Sequence, residues 1–142
     1  MKLTLETART VIAETFKAAA ADGLKPLAVI VLDSAGLPVA YERQDGSSNL
    51  RYPIAHGKAY GALGFGVGSR ALAGMAQANP AFVAGATAAF GGALIPAPGG
   101  VLIDDPDGGY LGAIGVSGDT ADNDEKAAVA GATAAGLTVT TG

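Results

Sequence analysis

The sequence contains no cysteine and no tryptophan, and only one of its 142 residues is histidine. Without cysteine, the chain has no disulfide, no thiolate metal site and no cysteine nucleophile. A single histidine cannot supply two imidazole ligands to one metal within one subunit, although two copies can supply a pair across an interface. Since only four tyrosines and four phenylalanines are present, Ala, Val, Leu and Ile must fill most of the core.

Positive charge is also scarce. The chain contains 9 Lys and Arg residues and 13 Asp and Glu residues, so its net charge is −4. Nucleic-acid binding needs a clustered basic surface, so we expect no nucleic-acid partner. Near the N-terminus, Glu6, Arg9 and Glu14 interrupt the apolar residues. This pattern predicts neither a signal peptide nor a membrane span, and we expect a cytoplasmic protein that does not enter a membrane.

The length predicts one domain over residues 1–142. In the first half, apolar residues at three- and four-residue spacing predict a helix from a Thr4 cap to about Ala21. A hairpin follows, with strands at Leu27 to Leu32 and Leu37 to Arg43. Ser47 or Ser48 is the predicted cap of a second helix that runs to about Gly64.

In the second half, we predict a short helix capped by Ser69, an ambiguous segment at 81–90 and a short strand at Leu94 and Ile95. A second hairpin is predicted at 100–103 and 110–116. A helix capped by Thr120 or Asp122 and a strand at 137–140 close the chain. This order predicts an α+β fold in which helices pack on a central, largely antiparallel sheet.

Glycine occupies three of the seven positions from Gly112 to Gly118, within an otherwise apolar strand. Glycine weakens a strand interior, so its repeated use here needs a physical reason. Either a neighbouring backbone or a flat ligand comes close, or the chain adopts a conformation that only glycine reaches easily. This stretch, together with the start of the helix after it, is therefore a candidate for a binding site.

Three segments in this order resemble one protein family. They are the strand pair from Val29 to Gly46, the helical stretch Ile54-Ala55-His56-Gly57-Lys58-Ala59, and the segment that runs from Pro98-Gly99-Gly100 through 112–118 to Ala128. Together they resemble the GlcG/HbpS family, also called the haem-degrading domain family, which includes the C-terminal domain of PduO cobalamin adenosyltransferases. The resemblance covers nearly the whole chain.

The resemblance implies a single domain with a five-stranded antiparallel sheet flanked by helices, in profilin-like layers. It also implies a homo-oligomer, from a dimer to an octamer. Some members of the family bind haem, whereas others have no settled activity. We therefore expect a small-molecule ligand, with haem or another tetrapyrrole as the first candidate. Fold alone does not determine function, so the function has to be inferred from the residues of the site.

His56 is the candidate metal ligand, because imidazole is a common axial ligand of haem iron. The alternative is a histidine on a helix face with no ligand. Other side chains able to ligate iron are Tyr52, Tyr60, Tyr110 and Met75. Because aromatic residues are few, we expect a shallow haem site at a subunit interface rather than a deep pocket.

Arg43 and Lys58 are candidates for holding a propionate or a small carboxylate, Arg43 by paired hydrogen bonds and Lys58 as a point charge. For Arg43 the alternative is an ion pair with an acidic neighbour such as Asp45. For Lys58 the alternative is an amine bonded to backbone carbonyls or to Asp124. A desolvated Lys58 would have a lowered pKa and is therefore a candidate base or nucleophile.

The remaining candidates lie around the glycine-rich strand and the helix after it. Gly99, Gly100, Ser117 and Gly118 are the candidate walls of a cleft in which backbone N–H groups face an anion. Asp124 is a candidate for proton transfer, although acidic residues at a helix start also stabilise the helix dipole. An alternative function is therefore an enzyme of small organic acids, with Arg43 as carboxylate anchor and Lys58 or Asp124 moving a proton.

Overall fold

A computed structural model describes residues 2–142, in which five helices and five strands occur. The helices are α1 (Leu5–Ala21), α2 (Arg51–Phe65), α3 (Ser69–Ala78), α4 (Pro80–Ala89) and α5 (Ala121–Ala134). The strands are β1 (Ala28–Asp33), β2 (Pro38–Arg43), β3 (Gly100–Asp104), β4 (Tyr110–Ser117) and β5 (Val139–Thr140).

The strands form one antiparallel sheet in the order β2-β1-β4-β3-β5. Both predicted hairpins are present, as β1–β2 and β3–β4, and the predicted α+β fold is confirmed. The strand β1 lies inside the sheet, and its residues from Ala28 to Leu32 have no solvent exposure. This explains its continuous apolar sequence, because helices cover the sheet on both faces.

Side chains of β1 alternate between two separate cores. Val29 and Val31 point to one face, where α1 and α5 pack on the sheet and on each other. Ile30 and Leu32 point to the opposite face, which α2 covers. A third, smaller core forms where α3 and α4 pack beside α2.

The helix α2 lies directly on the sheet because two paired glycines of β3 and β4 face it. Gly100 and Gly115 are register partners. A Cβ atom at Gly115 would collide with the carbonyl oxygen of Ala55, and one at Gly100 would collide with the carbonyl oxygen of Lys58. For Gly115, a close backbone approach is therefore the reason for glycine within the 112–118 strand.

Two predicted helix caps, those of α2 and α3, are wrong. In each case the serine that was predicted as the cap has a different environment or partner. The helix α2 begins after Leu50, which makes no side-chain capping bond, rather than after Ser47 or Ser48. The cap of α3 is Gly68. Ser69 instead ties α3 to β3, because its Oγ accepts the N–H of Gly100 at 2.7 Å and lies 3.2 Å from the Gly100 carbonyl oxygen.

The segment between α3 and β3 also differs from the prediction. The ambiguous residues 81–90 lie almost entirely in α4, which begins at Pro80 with the Asn79 side chain as its cap. The predicted strand at Leu94 and Ile95 is wrong, since neither residue pairs with the sheet. Both pack over glycines of α2 instead. No helix within residues 2–142 is both long enough and apolar enough to cross a bilayer.

Candidate functional site

The face of α2 that contacts the sheet carries a buried ion pair between Lys58 and Asp124. Lys58 is 3% exposed and Asp124 is 1% exposed. The Lys58 ammonium donates to the carbonyl oxygen of Val116 at 3.0 Å and to Oδ2 of Asp124 at 3.1 Å. The other carboxylate oxygen of Asp124 accepts the backbone N–H of Asp119 at 2.9 Å. Lys58 is therefore bonded to both the carbonyl and the carboxylate that the sequence offered as its alternative partners.

Burial lowers the pKa of Lys58, and the Asp124 carboxylate opposes part of that shift by stabilising the charged amine. The positive charge of Arg51 adds to the lowering. Because solvent hardly reaches either side chain, a ligand cannot contact the Lys58 amine without displacing its surroundings. The catalytic roles assigned to Lys58 and Asp124 remain predictions.

Because Gly99 has no side chain, it leaves the space that the Lys58 amine occupies. A Cβ at Gly99 would lie 2.7 Å from Lys58 Nζ, so a larger residue would push the amine out of its position. The Gly99 carbonyl also accepts the N–H of Val116, which continues the pairing beyond β3. Gly99 and Gly100 therefore accommodate the lysine, and whether they also form a ligand cleft remains a prediction.

Ser117 and Gly118 lie at the end of β4, beside the buried pair. The Ser117 hydroxyl accepts a hydrogen bond from Nη1 of Arg51 at 3.3 Å. Gly118 comes so close to the backbone of Pro26 and Leu27 that a Cβ there would collide with the Pro26 carbonyl. The structure thus brings six predicted site residues together: Lys58, Gly99, Gly100, Ser117, Gly118 and Asp124.

Arg43 is not part of this cluster. It lies on the edge strand β2, which β1 separates from β4, and its Nη1 donates to the carbonyl of Ser47 at 3.4 Å. The alternative prediction of an ion pair with Asp45 is wrong, since no such pair forms within the described residues. The arginine beside the cluster is Arg51, which the sequence analysis missed. Its seven-residue spacing from Lys58 places both on one helix face, and that signal could have identified it.

The opposite, outer face of α2 carries His56 between two tyrosines. The His56 ring stacks with Tyr52 at a centroid distance of 6.0 Å and with Tyr60 at 5.3 Å. These residues are four apart, so successive helix turns bring their side chains together. Tyr52 is 45% exposed and Tyr60 is 36% exposed. We call Tyr52, His56 and Tyr60 the aromatic row.

Both ends of the aromatic row are continued by other elements. Tyr41 of β2 contacts Tyr52 edge-to-face at 5.0 Å, and Phe90 contacts Tyr60 edge-to-face at 5.9 Å. Beside Tyr60, Leu63 and Phe90 line an open cavity of about 410 Å³ under the β1–β2 turn. Four of the eight tyrosines and phenylalanines of this chain are therefore joined with His56 in one continuous series of ring contacts.

Electrostatics differ along this surface. Partial burial lowers the pKa of His56 and so favours the neutral imidazole, which is the form that binds a metal. Burial raises the pKa of Tyr41, whereas the nearby guanidinium of Arg43 lowers it. Arg43 lies two residues after Tyr41 on β2, so both side chains project from the same face of that strand and the guanidinium lies near the Tyr41 end of the aromatic row.

The other candidate iron ligands lie apart from this row or have partners of their own. The Tyr110 hydroxyl donates to the Gly66 carbonyl at 3.1 Å, and Met75 is partly exposed on α3. Two acidic residues in the first turns of α5, Asp122 and Glu125, are also engaged, since both pair with Arg70 of α3. In the part of the chain that the structure describes, no three His, Asp or Glu side chains are grouped as a metal site.

Comparison with known proteins identifies the same family as the sequence motifs. The family model described as "Haem degrading protein HbpS-like" matches residues 3–133. No curated protein matches the chain. Among solved structures, HbpS of Streptomyces reticuli, crystallised as a double mutant, is similar with 29% identity and a TM-score of 0.79. That match covers 94% of this chain and 86% of HbpS.

Two further structures share the fold at lower identity. A crystal structure of a PduOC:heme complex has 20% identity and a TM-score of 0.86, and the match covers 97% of this chain and 98% of PduOC. Protein ORFY of Klebsiella pneumoniae has 22% identity and a TM-score of 0.85, with 96% and 92% of the two chains covered. These similarities confirm that helices on a five-stranded antiparallel sheet form the common architecture.

Proposed function

Since the chain belongs to the HbpS-like family of haem-degrading proteins, we propose that it binds haem or a related tetrapyrrole through the aromatic row. The observation that carries this proposal is the position of His56. It is partly exposed, is flanked by two stacked tyrosine rings and has a lowered pKa. Neutral imidazole is a common axial ligand of haem iron, so His56 fits that role.

The surroundings of His56 suit the two chemical parts of haem. Tyr52 and Tyr60 offer partly exposed ring surface for the apolar macrocycle. Arg43, on the same face of β2 as Tyr41, offers a guanidinium for a propionate. When bound, haem would supply redox chemistry at iron, and the chain would supply the axial ligand, the apolar contacts and the counter-charge.

The aromatic row is open to solvent rather than enclosed, which favours a haem covered by a second copy of the chain. We therefore include in this proposal a homo-oligomer, from a dimer to an octamer. The relative PduOC was crystallised as a complex with haem, which supports the choice of ligand. Light scattering of the protein with and without haemin measures whether ligand binding and assembly are linked.

Haemin titration followed by absorption spectroscopy tests the proposal. We expect a saturable, stoichiometric shift of the Soret band, and a loss of affinity of about tenfold or more, equivalent to at least about 1.4 kcal/mol, in His56→Ala. Tyr52→Phe and Tyr60→Phe are matched controls because they keep the rings but remove the hydroxyls. If the spectrum is unchanged in His56→Ala but changes in one of the tyrosine variants, the axial ligand is that tyrosine rather than His56. The absence of a saturable shift would end the haem proposal.

The alternative function, an enzyme of organic acids, has less support from the geometry. Its predicted carboxylate anchor, Arg43, lies on an edge strand away from the buried pair. Its predicted proton-transfer groups, Lys58 and Asp124, are almost without solvent contact. The organic-acid reaction remains a prediction of the sequence.

A further inference from the structure

A second cavity, of about 210 Å³, lies at the N-terminal end of α2 on the side that faces the sheet. Three segments meet there: the loop between α1 and β1, the loop between β2 and α2, and the end of β4. Its lining residues are Lys25, Pro26, Gly46, Ser47, Ser48, Arg51 and Gly118. Two of these side chains are cationic and two carry hydroxyl groups, whereas none is acidic.

The walls of this cavity are held together by backbone contacts. The backbones of Gly118 and Pro26 touch, in a contact that leaves no room for a Cβ. Leu27 and Gln44 exchange two hydrogen bonds of 2.8 Å, one through the Gln44 side chain and one between backbones. The cavity is therefore formed by segments that are tied to β1 and β4 rather than by one free loop.

In the described part of the chain, the two cations of the cavity have no carboxylate partner. Within residues 2–142, no acidic oxygen lies within 4 Å of Lys25 Nζ or of the Arg51 guanidinium, although five other ion pairs of that length occur. Arg51 uses one N–H for the Ser117 hydroxyl, and its planar guanidinium has five such donors. Most of the donors of Arg51 are therefore free to bind a ligand.

Two acidic groups near the cavity, Asp124 and Asp119, are already engaged by other donors. Asp124 is paired with Lys58. The carboxylate of Asp119 accepts the backbone N–H groups of Lys25 and Thr120 and the side-chain amide of Asn123. Asp119 therefore reduces the positive potential near Lys25 without forming a direct ion pair with it.

Ser47 provides a separate indication of a ligand. In the described chain, its Oγ is buried and has no hydrogen-bond partner. A buried hydroxyl without a partner costs free energy, and native proteins rarely leave such groups unpaired. Ser47 is one of the residues that line the cavity, so rotation about its Cα–Cβ bond would bring this hydroxyl to a polar ligand there.

We propose that the cavity at the start of α2 binds a small oxyanion, a carboxylate or a phosphate, through Arg51, Lys25 and the hydroxyl of Ser47. Arginine suits this role because its donors match the paired oxygens of both groups. The volume is several times the roughly 30 Å³ that one water occupies in the liquid, so an anion of a few heavy atoms fits. The site extends beyond the haem proposal, because Arg51 lies on the sheet-facing side of α2 and His56 lies on its outer side.

Nuclear magnetic resonance titration of the full chain with inorganic phosphate tests the proposal, at constant ionic strength maintained with chloride. We expect saturable shifts of the backbone amide signals of Gly46, Ser47 and Gly118. A parallel titration with acetate distinguishes the two kinds of oxyanion. Arg51→Gln should weaken binding about tenfold or more and Lys25→Gln about threefold, since Arg51 is more buried and forms paired hydrogen bonds.

Three further variants separate this site from other effects. Arg9→Gln removes one positive charge from an exposed position of α1 and should leave binding unchanged. Ser47→Ala keeps the charge and should weaken binding even if Arg51→Gln fails to fold. His56→Ala should not change phosphate binding, so failure of the haem proposal and failure of this one remain distinguishable. Shifts that do not saturate, or equal affinity in the Arg51→Gln, Ser47→Ala and Arg9→Gln variants, would overturn the proposal.

Discussion

The two faces of α2 differ in side-chain size, burial and charge. The sheet-facing side consists mainly of small residues, with Ala55, Ala59 and Ala62 buried against strands that carry glycine. Of its two charged groups, Lys58 is buried and paired with Asp124, whereas Arg51 lies at the helix start and donates to Ser117. The outer side presents the aromatic row, whose tyrosines are partly exposed. One helix therefore combines a tightly packed structural surface with an open surface suited to a ligand.

This difference explains why two titratable groups on the same helix, Lys58 and His56, have different roles. Burial lowers the pKa of both Lys58 and His56. Lys58 has a protein carboxylate and a backbone carbonyl as partners, whereas His56 has only ring contacts with Tyr52 and Tyr60. The shift at Lys58 thus accompanies a satisfied structural pair, while the shift at His56 leaves a neutral donor near solvent.

The largest effect is expected when the buried pair is broken. Lys58→Met leaves the Asp124 carboxylate buried with only backbone donors and should lower the free energy of unfolding by about 3–5 kcal/mol. Urea denaturation measures this loss. The double variant Lys58→Met with Asp124→Leu removes both charges and should recover much of the stability. A single variant as stable as the wild type would contradict the structural role assigned to the pair.

A smaller loss is expected from adding one methyl group where α2 meets the sheet. Gly115→Ala would place a Cβ against the Ala55 carbonyl and 3.0 Å from the Cβ of Ala59. We expect a cost of about 1–3 kcal/mol, as for overpacked cores. Gly74→Ala is the matched control, since a Cβ there meets no atom within 4 Å and alanine favours a helix. If the two variants lose the same free energy of unfolding, the close approach of α2 to the sheet does not determine the cost of a methyl group at position 115.

The smallest effect is expected from the titration of His56. Because its folded-state pKa is lowered below 6.5, the unfolded chain binds more protons between those two values. The contribution of His56 to stability is therefore fully present above pH 6.5 and is lost as the pH falls through its folded-state pKa. The pH dependence of urea denaturation should be flatter in His56→Gln than in the wild type within this window. Parallel curves for the two proteins would rule out this assignment.

Much of the fold was predictable because its signals are local. The spacing of apolar residues and the Thr4 cap predicted α1, and turn residues predicted both hairpins. The wrong caps at Ser47, Ser48 and Ser69 have a common reason: serine suits helix starts in general. Whether it caps one depends on which distant groups its hydroxyl meets, such as the backbone of Gly100 for Ser69.

The candidate site was only partly predictable. The contact between Lys58 and Asp124 was one of the alternatives that the sequence left open, and the structure contains it. Gly99 and Gly100 were predicted as walls of an anion cleft, and in the structure they lie against Lys58. Arg43 was chosen as the anchor beside them, whereas the structure places Arg51 there. The choice between two arginines eight residues apart depends on how β2, the loop after it and α2 are arranged, and local sequence does not encode that arrangement.

The sequence by itself determined the family, the α+β fold and the scarcity of aromatic and basic residues, because these follow from composition, periodicity and the order of motifs. Only the tertiary structure decided that Lys58 is buried in an ion pair while His56, two residues earlier, lies in an open row of rings. Each helix residue is rotated by about 100° from the one before it, so residues two apart, such as His56 and Lys58, point to nearly opposite sides of the helix. The packing of one face on a glycine-containing sheet therefore fixed what the other face presents to solvent.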